Sequence, residues 1–296
     1  MNAPHEEVAA AFRVLNKCSA GLHSAGPWRW QCLVQNGSRL PLTASLEEGF
    51  LQLAGCPEAH RRPVRALENA LRGNATLAGG VKFALDAASR GLHLRTDIVL
   101  LDEKQLLDRV RWALDGFHQG YNRLKSLDSG GQGAEARAAG PSAVRLGELL
   151  RESGWSCTER GANEFCADLS ADPAPPARIT AHDEGVVLSV DLVRCLPSAE
   201  AARKALSIFL LTASYSLRLA CACAGEEEGQ PRFGFQVRLP AAPAAEEIDH
   251  ALAALSTACR MCAREANVLL DESAARCYLA VRNVPLTHNS ENAKEI

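Results

Sequence analysis

Four thiols in the C-terminal half offer the most direct route to chemistry. Cys259-Arg-Met-Cys262 is a CxxC, and Cys221-Ala-Cys223 supplies two more. Four cysteines can enclose a tetrahedral zinc ion. A CxxC that opens a helix can act as a redox couple, because the helix N-terminus lowers the thiol pKa. Neither chemistry fits the surrounding pattern. Cys259 and Cys262 fall at apolar positions well inside an expected long helix, and they match positions held by Leu114 and Phe117 earlier in the chain. Cys221 matches Leu85 on a strand, and no His stands at ligand spacing nearby. The thiols therefore read as small buried apolar side chains. No metal and no other cofactor is expected.

Other reactive groups are scattered. His182 and His250 have no nucleophile partner recognisable in sequence. GxSxG, P-loop, HExxH and Rossmann fingerprints are missing. Gly130-Gly131-Gln132-Gly133 has no strand before it, as a phosphate loop would need, and Glu226-Glu227-Glu228 reads as a solvated turn. The expectation is a non-enzymatic protein. Trp28, Trp30 and Val34 on one strand, with Phe165 on a later one, form the candidate partner-binding set, since strand aromatics can anchor a bound peptide. Core packing competes for the same residues.

The elements that position these groups follow from length and pattern. A chain of 296 residues is expected to form two domains. A net charge of −3 gives no electrostatic reason for nucleic-acid binding. Eleven Cys, an odd and irregularly spaced set, suggest reduced thiols and a cytoplasmic protein. The acidic start at Met1–Glu7 does not read as a secretory signal. Residues Ala205–Gly225 approach the length of a bilayer span but carry Arg218 and several hydroxyls, so no membrane insertion is expected.

The chain reads as a tandem repeat. Residues 127–141 form a Gly- and Ala-rich linker between domain 1 (1–126) and domain 2 (142–283), with a tail at 284–296. Each domain opens with a short amphipathic helix, marked by Val8, Phe12 and Leu15 in one and by Leu146, Leu149 and Leu150 behind Ser142 in the other. Leu42-Thr-Ala-Ser-Leu-Glu-Glu-Gly49 resembles Ile179-Thr-Ala-His-Asp-Glu-Gly185. Middle helices are expected over Glu58–Leu71 and Ser198–Tyr215, and long closing helices carry apolar residues in one spacing: Leu107, Val110, Leu114, Phe117, Tyr121 and Leu124, then Leu252, Leu255, Cys259, Cys262, Ala266 and Leu269. The expected fold class is α+β, with two α-β-β-β-α-β-β-α units whose mainly antiparallel sheets pack on helices.

One helix has no polar face. Ala201–Tyr215 is apolar nearly all round, through Leu206, Ile208, Phe209, Leu210 and Leu211. Such a helix must be covered on both sides. These residues are the expected domain or dimer interface.

The α-β-β-β-α-β-β-α order resembles the class I type III secretion chaperones, the Tir-chaperone family, and the YbjN-like proteins are similar in fold. The first resemblance implies a cytoplasmic protein without enzymatic activity. It would dimerise through the middle helix and bind an unfolded stretch of a secreted effector. Two copies in one chain depart from that family and imply either a monomer with pseudo-dimeric domains or a homodimer. The second resemblance implies a regulatory or scaffold protein with a folded partner. A third reading is an enzyme whose site is assembled from scattered residues.

Overall fold

A computed structural model of the chain describes residues 5–35, 39–55, 64–124, 127, 143–161, 163–169, 175–183, 185–195, 197–227 and 230–284. The first half runs α1 (His5–Cys18), β1 (Ala20–Gly26), β2 (Arg29–Gln35), β3 (Arg39–Glu47), β4 (Phe50–Gly55), α2 (Val64–Asn74), β5 (Lys82–Leu85), β6 (Leu92–Val99) and α3 (Glu103–Leu124). The second runs α4 (Ala143–Glu152), β7 (Cys157–Gly161), β8 (Glu164–Ala167), β9 (Ala177–His182), β10 (Gly185–Val193), α5 (Glu200–Ser216), β11 (Cys221–Glu227), β12 (Gln230–Leu239), α6 (Ala245–Val268) and α7 (Glu272–Val281).

The fold is α+β, with two six-stranded antiparallel sheets ordered β1-β2-β3-β4-β6-β5 and β11-β12-β10-β9-β8-β7. Each half holds four strands before its middle helix, one more than the sequence pattern suggests, because β1 and β7 are edge strands with little burial. An exposed edge strand lacks the apolar alternation by which a strand is recognised. Helix α7 is also additional. Asp271 caps it by accepting from the Ala274 N–H at 2.9 Å.

The closing helices lie on one face of each sheet, α3 against β6 and α6 against β10 and β12, and α1 and α4 pack beside them. On α1 the buried stripe is Ala11, Val14 and Leu15, whereas Phe12 is 43% exposed. The expected Val8–Phe12–Leu15 stripe is therefore corrected. A buried Ala and Val carry the face, and the larger Phe12 lies at its margin. The expected caps and helix starts at Cys56-Pro57, Glu58 and Ser142 lie outside the described residues, as does most of the expected linker. Its first residue, Leu127, is buried, and its carbonyl accepts from Asn69.

Strand registers align the halves. Leu53 lies between Ala44 and Thr96, and Leu188 between Ile179 and Val237. The burial pattern of Phe50–Gly55 recurs over the first six residues of β10. Stepping along the paired strands, Arg95 corresponds to Gln236, Asp97 to Arg238, Lys82 to Cys221 and Phe83 to Ala222. The sequence matches are corrected by this register. Cys221 takes the place of Lys82, not of Leu85. Thr43-Ala44 and Thr180-Ala181 are offset by two residues, a slip that leaves every side chain on the same sheet face.

Candidate functional site

The candidate partner-binding residues do not form an accessible surface. Trp30, Val34 and Phe165 are buried. Helix α4 lies on Phe165, whose ring is 3.5 Å from the place a Cβ on Gly147 would occupy. Trp28 is half-buried at the β1–β2 turn, with φ +57° and its carbonyl accepting from the Leu46 N–H at 3.0 Å. Three of the four thus belong to the core, because the first helix of each half and its neighbours cover the sheet face on which they stand.

The thiols sit inside packed elements. Burial pushes Cys259 up to about 11, and Cys262 and Cys221 up to about 12; Cys223 is also raised by burial. Among the described residues no three His, Cys, Asp or Glu side chains converge on one point. Their helix register is corrected. The eight buried positions of α3 are Leu106, Val110, Ala113, Leu114, Gly116, Phe117, Gly120 and Leu124. They match Ile248, Leu252, Leu255, Ser256, Ala258, Cys259, Cys262 and Ala266, all buried on α6. Cys259 therefore stands for Phe117 and Cys262 for Gly120. The sequence match was three residues out, close to one helical turn, so it kept the face and lost the position.

The histidines stay apart. His182 Nε2 faces Thr180 Oγ1 at 3.1 Å, while His250 Nδ1 faces the Glu246 carbonyl and its ring stands edge-on to Phe50. Ser89 Oγ lies 3.3 Å from His93 Nε2. However, Asp86 bonds the Ser89 side chain and the N–H groups of Ala88 and Ser89, and Ser89 Oγ accepts from the Gly91 N–H. A nucleophilic triad would put the carboxylate on the far nitrogen of the histidine. These bonds instead close the β5–β6 turn.

The most elaborate constellation is the seam between the halves. Helix α5 packs on β5 of the opposite sheet, α2 packs on β11, and the two helices pack on each other. Leu206, Ile208, Leu210 and Leu211 of α5 are buried, and half-buried Phe209 meets Tyr278 of α7 edge-on at 6.4 Å. Residues of each sheet bond the end of the other half's middle helix. At α2, Gln236 Nε2 donates to the Asn74 carbonyl at 2.7 Å and Arg238 to the Ala75 carbonyl at 2.5 Å. At α5, Lys82 Nζ donates to the Leu217 and Ala220 carbonyls at 2.7 and 3.2 Å. Asp97 Oδ2 accepts from Lys82 at 3.2 Å and from the Leu219 N–H at 3.3 Å. Cations here complement the negative end of the helix dipole.

Ion pairs extend the seam. Arg109 of α3 grips Glu247 of α6 through two bonds of 2.8 Å, and Arg203 of α5 meets Glu68 of α2 at 3.1 Å. Sequence reasoning missed Asn74, Lys82 and Asp97. The available signal was a lysine and an aspartate set within the apolar strands Lys82–Leu85 and Leu92–Val99.

A groove of about 290 Å³ opens beside the seam. Arg29, Thr43, Ser45, Glu47, Gln52, His93 and Arg95 line the sheet side, and Tyr215 of α5 forms a wall. The Arg95 guanidinium lies 5.2 Å from the centre of the Tyr215 ring, and His93 stands edge-on to the same ring at 5.7 Å. Burial lowers the His93 pKa against the opposing pull of Asp86. No family model, curated protein or solved structure matches this chain. The fold is a tandem α+β arrangement in which the middle helix of each half packs on the sheet of the other.

Proposed function

We propose that the chain is a non-enzymatic protein-binding module, similar in role to a class I type III secretion chaperone, which holds a segment of a secreted effector or another secretion-related protein in the cytoplasm. The observation that carries this reading is the reciprocal seam, in which the middle helix of each half packs on the sheet of the other. A two-fold related interface of that form is what a homodimer would build from two chains. The fusion therefore stands in for the dimer, and the partner-binding surface is shared by both halves. No helix among the described residues is long and apolar enough to cross a membrane.

The test is recovery of the tagged full chain from its native cytoplasm, identification of stoichiometric companions by mass spectrometry, and reassembly from purified components. The expected result is one dominant protein partner that rebinds when pure. Absence of any stoichiometric companion would contradict the reading.

A folded partner, bound as a YbjN-like regulatory or scaffold protein would bind it, is the second reading. The large exposed apolar side chains among the described residues favour it: Phe12, Met261, Val268 and Val281 are dispersed over α1, α6 and α7, whereas an unfolded segment calls for a continuous apolar track. Hydrogen exchange on the reassembled complex separates the two. Protection gained along one extended segment of the partner supports the chaperone role, and a partner already protected before binding supports the scaffold role.

A further inference from the structure

We propose that the groove on the first sheet binds a carboxylate, seated against Arg95 and Arg29 with Tyr215 as its wall. The charge balance of the buried cluster beneath it is the starting point. Lys82 and Asp97 are fully buried at the side chain, and Arg95 is 15% exposed. Two cations thus share one carboxylate. Lys82 Nζ makes three bonds, to Asp97 and to the Leu217 and Ala220 carbonyls. Asp97 Oδ2 is taken by Lys82 and the Leu219 N–H, which leaves Arg95 a contact of 3.5 Å to Oδ1. Arg95 Nε has no hydrogen-bond partner. One unit of positive charge is left uncompensated in a poorly hydrated place, which is costly unless an anion reaches it.

The groove supplies that access. Tyr215 holds the guanidinium plane by a cation–π contact, and Arg29 stands exposed at the rim. The acid in the lining, Glu47, shares Arg218 with Glu48, at 3.8 and 3.0 Å. A planar guanidinium fork matches a planar carboxylate. A single excess charge, with Glu47 nearby, suits a monoanion better than a doubly charged phosphate. In the second half the equivalent of Arg95 is Gln236, a neutral side chain whose Nε2 donates to the Asn74 carbonyl.

The carboxylate is either an acidic side chain of a bound polypeptide or a free small acid. The proposal stands whether or not the chain has a protein partner. Calorimetric titration of the full chain uses three probes: acetyl-Gly-Glu-Gly-amide, its Gln counterpart, and propionate. At least one carboxylate probe should bind saturably, and the Gln peptide should bind at least about tenfold more weakly than the Glu peptide. Arg95→Gln, which installs the side chain of the second half, should weaken binding about tenfold or more with unchanged circular dichroism and a melting temperature no lower than that of the parent chain. If that variant does not fold, Arg29→Gln at the rim decides, with a loss of about threefold or more expected. Tighter binding of the Glu peptide than of propionate points to a polypeptide source, and the reverse to a free acid. Either supports the site. No binding by either carboxylate, equal binding of the Gln peptide, or a folded variant that binds like the parent chain would overturn it.

Discussion

The side-chain amide of Asn74 donates to the carbonyl of Ala222 across 2.8 Å, joining the last residue of α2 to the edge strand of the other half. The same nitrogen reaches the Phe83 carbonyl at 3.0 Å, and Asn74 Oδ1 accepts from the Phe83 N–H at 2.6 Å. Ser214 Oγ takes the Ala222 N–H at 2.7 Å. Phe83 and Ala222 are equivalent residues on β5 and β11, so one side chain satisfies both edge strands where they meet. Edge strands otherwise invite pairing with foreign chains.

Asn74→Ala should therefore cost more than the loss of one bond. It strands buried backbone groups on both strands, at about 2–3 kcal/mol in total. Urea unfolding followed by far-UV circular dichroism should show a lower midpoint. An unchanged midpoint would mean that water replaces the amide.

Lys82→Met should be severe, because Asp97 would keep only the Leu219 N–H and its long contact with Arg95. Breaking one partner of a buried pair costs about 3–5 kcal/mol, whereas replacing both with apolar groups is often close to neutral. The double variant Lys82→Met, Asp97→Leu should therefore recover part of the loss. A double variant no more stable than the single one would place the destabilisation in the bonds from Lys82 to the end of α5.

Gly116→Ala tests the fit of α3 against the loop before β5. Helix propensity favours Ala by about 1 kcal/mol. An added Cβ would lie 2.1 Å from the Ala78 carbonyl oxygen and 2.8 Å from Val81 Cγ2. Overpacking against backbone costs about 1–3 kcal/mol and wins. The melting temperature should fall, and a rise would show that the loop gives way.

The buried thiols set an alkaline limit. Cys221 and Cys262 are raised from 9.0 to about 12 and Cys259 to about 11. The folded state holds these protons where the unfolded state has released them. Their contribution to stability is complete below pH 9 and is lost as pH rises through the folded values. Unfolding midpoints should decline above about pH 9, and Cys221→Ala should flatten that decline. Among the described thiols, alkylation at pH 8 should mark exposed Cys195 and Cys277 first.

Faces were legible in the sequence; registers were not. A strand shifted by two residues, or a helix by three, presents nearly the same stripe. Thr43-Ala44 matched Thr180-Ala181, and Leu114 matched Cys259, while the backbone places those residues two and three positions apart. The apolar run Leu206–Leu211 identified a helix that needs cover on every side, because that demand is local to the helix. Asn74, Lys82 and Asp97 were invisible as a group, since they meet only when α2, β5 and β6 are brought against the second half. Trp30, Val34 and Phe165 are buried, and alternation on a strand separates two faces without saying which one is covered.

Cutting the chain tests the seam most directly. A protease site placed at residue 135 allows the backbone to be cleaved after folding, with the mass in solution then read by light scattering at low micromolar concentration. Reciprocal packing of α2 and α5 predicts that both fragments stay together as one particle near 31.7 kDa. Two separate, folded fragments of about half that mass would contradict it.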